Sequence, residues 1–580
     1  MKRNIYKLLL CGCMVASLLS SCNDILEEQP RAVLTPDLFK SEVGLEQGLT
    51  AAYVGLRSIV GAQGPMFCME LGTDEFTSAA SNTNYPLDMT PDRTGTTPIT
   101  SATGDFSSFW NDSFQYINTC NGVVDYGTEL NMDPAIIAEA RFLRAYYYFN
   151  LVQMFGATPL DLGSGKLKFN TSPNRASDRN PVDEVYATII EDLQYGIENL
   201  PIVSRRTGSI AKKAAIHYLA KVYLTRGDYQ TALTTAETLI NNQGTYGVGL
   251  MDTYADVVKE GNEHSKEVLF TCEHTEDYAF NGYIGQTASD GGATTGYGGY
   301  DRALSYFTNN YPTFYIDDDA AVKQTPVGRS VEYSRPWIRM APTDELLTSI
   351  FGDKTNDSRY FSTFQTVWLS NVERSGGASR SYKGLLGQPI SIGDTAFYFP
   401  GTEVTSGFKA SKNYRIWGIK DHTDIFFPSM WKFFDRNRKA VNDASGRPFI
   451  VAKFSETYLI AAEAAVKLNQ NDKARQYILT LRQRAAYPGH AVEIEALTPA
   501  TITIDYILDK RTRELCGEQM RWLDLVRTGK WIERSSTYHL GGKEYKRTIQ
   551  PHYVLRPIPQ FQLDRLAESV DRASYQNPGY

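Results

Sequence analysis

The chain has 580 residues, of which 42% are hydrophobic, 22% charged and 12% aromatic; this balance excludes a disordered tail, a fibre and a small disulfide-stapled domain. Sixty-six acidic against 59 basic residues leave a net charge of -7, which argues against a general nucleic-acid binder, and no local basic patch stands out along the sequence. The 36 Tyr and 27 Phe stand against 7 His and 7 Cys, so flat rings are plentiful and transition-metal ligands scarce.

The first residues carry the most specific local signal. Lys2, Arg3 and Lys7 precede LLLCGCMVASLL, an apolar stretch too short to span a bilayer and suited to a signal-peptide core over residues 1–21. LLSSC then resembles a bacterial lipobox, with Cys22 as the lipidated first residue of the mature chain. The alternative is ordinary cleavage at a small-residue site, with Cys22 incidental. No later segment is apolar and uninterrupted for the length of a membrane span. Cys68, Cys120, Cys272 and Cys516 are far apart and show no CxxC spacing; buried free thiols are expected, and the pattern demands no disulfide.

Residues 36–60 carry apolar positions at helical spacing. Residues 72–108, dense in Thr, Ser, Gly, Asp and Pro, read as a long surface loop, and helical periodicity resumes from Phe109. PAIIAEARFLRAYYYFNLVQMF (134–155) starts with a cap and a first-turn proline and stops at Gly156. A second amphipathic helix follows over 181–199. Residues 209–226 and 230–241, joined through Gly227-Asp228-Tyr229, form a hairpin whose small Ala positions permit close packing, and 454–469 with 473–485 repeat that plan. Between the hairpins, 245–450 is glycine-rich and aromatic, with short apolar runs such as EVLF at 267–270. Helix returns over 503–516 and 517–530, and HYVLRPIP begins an extended tail.

No HExxH, G-x-S-x-G, phosphate loop or Rossmann fingerprint is present. His264 and His274, near Glu263, Glu267 and Glu273, read as a solvated strand-and-turn region and not as a metal site. A glycoside hydrolase needs only two carboxyl groups brought together in space. Asp74 with Glu75, Asp317 to Asp319, and Asp421 with Asp424 are the candidates, and charge runs of this kind usually mark solvated turns. No catalytic residue, metal or cofactor is therefore assigned.

Sugar binding asks for less machinery: a ring that stacks on a pyranose face and polar groups for its hydroxyls. Tyr85 in the first loop, Tyr283, Tyr297 and Tyr300 in the glycine-rich block, and Trp337 beside Arg335 in YSRPWIRM are the candidate ligand-binding residues. Trp110, Trp431 and Trp522 read as core residues on helical faces, and Tyr146 to Tyr148 as scaffold.

The lipobox at Cys22, AEARFLRAYYYFNLVQMFGATPL (138–160), FSETYLIAAEAAVKLN (454–469), RTRELCGEQMRWLDLVRTGK (511–530) and the ending VLRPIPQFQLD…QNPGY together resemble the SusD/RagB family of outer-membrane nutrient-binding lipoproteins. The resemblance implies a mainly α fold of tetratricopeptide-like hairpins with long loops and few short strands. It implies one unit over 22–580, with scaffold mainly at 36–71, 109–241 and 451–530 and a ligand-facing region mainly at 72–108 and 245–450. It also implies a surface-exposed, lipid-anchored protein that captures an oligo- or polysaccharide for a TonB-dependent, SusC-like outer-membrane transporter. A surface glycoside hydrolase, or a binder of peptide, is the alternative.

Overall fold

The computed structural model describes residues 37–82, 85–94, 98–172, 174–275, 301–316, 325–374 and 380–580. The fold is mainly α-helical, with short strands, several of them buried. The principal helices are α1 (Glu42–Val54), α2 (Gln63–Glu70), α3 (Gly104–Glu129), α4 (Pro134–Phe155), α5 (Val182–Asn199), α6 (Lys212–Arg226) and α7 (Tyr229–Asn241), then α8 (Phe454–Lys467), α9 (Asn471–Arg484), α10 (Ile504–Leu515) and α11 (Arg521–Arg527).

Local chemistry sets their limits. Asp133 accepts a hydrogen bond from the amide of Ala135 and Pro134 occupies the first turn, so α4 begins there; Gly156, at φ +72°, ends it. Apolar side chains recur on every side of α4, and the helix is buried almost throughout, with Glu139 and Arg144 paired to Arg205 and Asp192. Its three tyrosines are scaffold: the hydroxyl of Tyr147 donates to Ala52 O (2.9 Å) and that of Tyr148 to Pro159 O (3.2 Å). In the first hairpin Gly227 takes φ +80° between α6 and α7, and the Asp228 side chain accepts from the amide of Thr231. The hairpins separated by the central block meet directly, α7 lying along α8 and α8 along α9. There His217 contacts Thr457 Oγ1 at 2.9 Å and Glu456 Oε2 at 3.1 Å.

The strands are few. β1 (Phe76–Ser78) pairs antiparallel with β3 (Met340–Pro342), and β2 (Val268–Cys272) with β7 (Phe449–Lys453). β4 (Val367–Leu369), β5 (Thr395–Tyr398) and β6 (Arg415–Ile416) form a small sheet with β5 central. Tyr311, Phe314, Trp368, Phe397, Phe399 and Trp417 pack a separate core for it. β8 (Thr537–Leu540) and β9 (Lys543–Lys546) make a hairpin on Gly541 and Gly542, both at positive φ.

The loop expected over 72–108 is not a surface loop throughout. Residues 72–79 are buried, β1 lies within them, and α3 starts at Gly104. The region around His274 is not solvated either: Glu263 and Glu267 are buried against Arg447 and Arg484, and burial followed by the nearby Arg57 pushes the buried His274 down to about 3. Trp110 and Trp522 are helical core residues, but Trp431 follows a short strand, half-buried, and its indole donates to Phe361 O. In the tail, Pro551–Val554 forms a 3-10 turn instead of extended chain. Cys68, Cys120, Cys272 and Cys516 are buried free thiols.

The segment from α10 to Arg534 neutralises buried charge from the rest of the chain. Arg511 binds Glu456 (2.8 Å) and Asp524 (2.5 Å). Glu514 binds Arg359 and Arg484, both at 2.7 Å, and Glu518 binds Lys432 and Lys453, both at 2.7 Å. Arg521 holds Asp74 through two nitrogens at 2.5 and 2.6 Å, and Arg534 reaches the same carboxylate at 2.8 Å. Burial alone would raise the carboxyl groups of Asp74 and Glu456. The cations around them outweigh it and hold both below the usual carboxylate range. Arg521→Met leaves Asp74 and Glu75 short of a buried partner and is expected to cost about 3–5 kcal/mol in denaturant unfolding. A loss under about 1 kcal/mol would show that this pairing is incidental.

Candidate ligand-binding site

Trp337 and Arg339 are placed by main-chain pairing. The amides of Trp337, Ile338 and Arg339 donate to Ser305 O, Thr308 O and Tyr306 O, at 3.3, 3.1 and 3.0 Å. On the other side, the amides of Ala79 and Ser81 donate to Arg339 O (2.9 Å) and Ile338 O (3.2 Å), continuing the β1–β3 pairing. Ser334 at φ 65° and the β-branched Ile338 at φ 51° bracket the intervening residues in the left-handed region. Such strain is costly for a β-branched residue and concentrates where a surface must be held in one shape.

Four rings form an arc through this point. Tyr85 meets Phe67 edge-on at 4.9 Å, Phe67 meets Tyr306 at 5.8 Å, and Tyr306 lies 5.6 Å from Trp337. Phe67 and Tyr306 are fully buried, Trp337 is 8% exposed, and Tyr85 is half-buried. The Tyr85 hydroxyl donates to the carboxylate of Asp105 near the start of α3. Burial raises the Asp105 carboxyl against that bond, and burial together with Asp105 pushes the tyrosine hydroxyl well above its ordinary range, so Tyr85 stays a donor.

Three guanidinium groups surround the indole. The central carbons of Arg302, Arg335 and Arg339 lie 5.2, 5.5 and 5.8 Å from the Trp337 ring centroid. Arg302 donates to Asn442 O and Arg339 to Ser81 O, each at 2.8 Å. A local basic cluster therefore exists, assembled from separated positions where the sequence shows no run. Trp337 is less an open stacking platform than the ring that organises these cations.

Of the residues singled out from the sequence, Tyr85, Trp337 and Arg335 come together here; Tyr283, Tyr297, Tyr300 and Cys22 lie outside the described residues. Arg302, Asp105 and Phe67 had no sequence signal, because their roles depend on tertiary contacts. Two candidate carboxylate pairs are engaged elsewhere: Asp74 and Glu75 on Arg521, Asp421 on Lys409, and Asp424 on Arg93. Asp317 to Asp319 lie outside the described residues. Among the described residues no three His, Cys, Asp or Glu side chains are grouped to hold a metal ion, and no described helix is long and apolar enough to cross a membrane. Two clefts of about 200 and 260 Å³ flank the Arg206–Ser209 loop, but their walls include no member of the arc.

The helical framework thus brings rings and cations from separate segments to one place. Sequence comparison gives the chain's family. The profile of the SusD family matches residues 272–580, and a second profile, described as starch-binding associating with outer membrane, matches residues 24–224. The chain belongs to the SusD family of outer-membrane glycan-binding proteins, which bind without catalysis and generally work beside TonB-dependent transporters. It is similar to SusD-like protein P25 of Formosa agariphila, 25% identical over 574 residues covering 96% of this chain and 95% of that one. SusD-like protein P2 of the same organism is 26% identical over 88% of each chain. Among solved structures, a laminarin binding SusD-like protein superposes with a TM-score of 0.65 at 22% identity, covering 93% of this chain and 100% of that one. Surface glycan-binding protein A from Bacteroides fluxus does so with a TM-score of 0.61 at 18% identity, covering 93% and 100%.

Tyr85→Phe removes the hydroxyl that Asp105 accepts. Loss of this buried, charge-assisted bond is expected to cost about 1–3 kcal/mol, measured by denaturant unfolding. Unchanged stability would contradict the bond.

Proposed function

We propose that the arc of Tyr85, Tyr306 and Trp337 with its arginines is where this chain takes hold of an oligo- or polysaccharide for delivery to a TonB-dependent, SusC-like transporter. The observation that carries this reading is the convergence of Tyr85, Arg335 and Trp337 from distant loops onto one strained, precisely paired stretch of main chain. Tyr85, half-buried, offers a ring edge to a pyranose, the buried Phe67, Tyr306 and Trp337 hold it and the cations in place, and the guanidinium groups answer the sugar's oxygens. Tyr283, Tyr297 and Tyr300 belong to the same proposed surface. The laminarin-binding relative supports a glycan as the ligand class without fixing the sugar.

In this reading Cys22 carries the lipid once residues 1–21 are removed, and residues 22–580 form one surface-exposed unit that closes over the transporter. The paired helices α6–α7 and α8–α9 are its tetratricopeptide-like scaffold, which holds the loops without contacting ligand.

A polysaccharide panel tests the site. At least one member should bind with no release of reducing ends, and Tyr85→Ala and Trp337→Phe should each weaken that binding about tenfold or more. Trp337→Phe keeps an aromatic core residue, so a folding defect does not mask the result. Binding that is untouched in both variants would place the site elsewhere, and steady release of product would make the protein a hydrolase.

A further inference from the structure

The arginines of the arc differ from those of the framework. Arg359, Arg511 and Arg521 are buried and Arg527 half-buried, and each holds a carboxylate. Arg302, only 9% exposed, and the half-buried Arg339 form no ion pair among the described residues. Each is tied by one nitrogen to a main-chain carbonyl; the Nε of each is buried without a hydrogen-bond partner, a feature shared with nitrogens of Arg484, Arg511 and Arg556. The absence of a carboxylate among the described residues is therefore what sets the pair apart from Arg484 and Arg511. Asp105 accepts from Tyr85; Asp301 accepts from the amide of Ala303 at 2.9 Å and feels both Arg302 and Arg447 electrostatically without closing an ion pair to Arg302.

Placing Arg302 and Arg339 beside one indole, with no ion pair for either among the described residues, is self-repulsive. The ring quadrupole offsets only part of that cost and of the desolvation of Arg302. Arg556 shows the closed alternative: it is sealed 3.9 Å from the Trp522 ring and donates to Cys68 O, a single cation spent on packing. The arc instead presents several guanidinium groups beside a half-buried tyrosine. A guanidinium is a planar fork matched to a carboxylate or sulfate, whereas a neutral hydroxyl uses only one of its donors.

We infer that the ligand of this arc is an acidic glycan, one bearing carboxylate or sulfate groups, and that Arg302 and Arg339 are the residues that select for the negative charge. This rests on the reading of the arc as the ligand site. The net charge of -7 gives a polyanion no long-range attraction, so the selection is made at contact distance, after the rings have engaged the sugar.

The test uses two matched pairs of probes: polygalacturonate against its methyl-esterified form, and dextran sulfate against dextran. An acidic member should bind about tenfold or more tightly than its neutral counterpart, and Arg302→Gln and Arg339→Gln should each lower that affinity about tenfold. Arg339→Lys keeps the charge but loses the fork, and should fall between wild type and Arg339→Gln. Melting temperatures taken alongside separate lost affinity from lost fold. The carboxylate and sulfate arms identify which group is read. Equal affinity for charged and neutral partners, wild-type affinity in both Gln variants, or no binding by any acidic member overturns the inference. If Tyr85→Ala still abolishes the neutral binding, only the charge selection falls; if it does not, the arc itself is not the site.

Discussion

Buried charge neutralised by the segment from Ile504 to Arg534 is the constraint on which the rest depends. Its side chains pair with acids or bases at Asp74, Arg359, Lys432, Lys453, Glu456, Glu463 and Arg484, positions that span most of the chain. Pairs of this kind add little over a well-packed apolar core, but a missing partner strands an ion in low dielectric. The network therefore acts as a registry device: the α8–α9 hairpin, the 72–79 strand region and the end of β7 must all arrive before any of them is satisfied. Apolar packing of small and aromatic side chains between helices supplies the bulk attraction, and the ions specify which arrangement is reached.

The same device positions the proposed binding arc. Asp74 and Glu75, held by Arg521 and Arg534, lead directly into β1, and β1 pairs residue for residue with β3. Trp337 and Arg339 stand just before β3, so their placement passes through two strands to a fixed ion pair. Tyr85 is set independently, through Asp105 and Phe67 at the edge of the helical layer. The framework thus carries an arc whose Phe67, Tyr306 and Trp337 belong to the core cluster itself, with Tyr85 packed against it, so the arc's shape is fixed by the same packing that fixes the helices.

Much of the scaffold was legible because helices announce themselves. The Asp133-Pro134 start, the Gly156 stop, and the Gly227-Asp228 turn each carry a local stereochemical cause. The buried GTDEFTS stretch at 72–78 was misread as exposed loop, since polar residues signal solvent unless their partners are known, and those partners lie at Arg521 and Arg534. Trp337, Tyr85 and Arg335 could be singled out by composition and context. That Trp337 is buried, and that Arg302 joins Arg339 at its ring, depends on contacts between distant segments that no local pattern encodes. The aromatic excess is accordingly mostly packing, from Tyr147 in α4 to Trp368 in the small sheet, with a short arc left for ligand.

Hydrogen exchange with and without a bound polysaccharide tests the central claim most directly, that a fixed framework presents a separate ligand arc. Slowed exchange confined to residues 78–92 and 302–342, with α8 to α10 unchanged, is the predicted result. Protection centred on the Arg206–Ser209 clefts, or spread through α8 to α10, would contradict it.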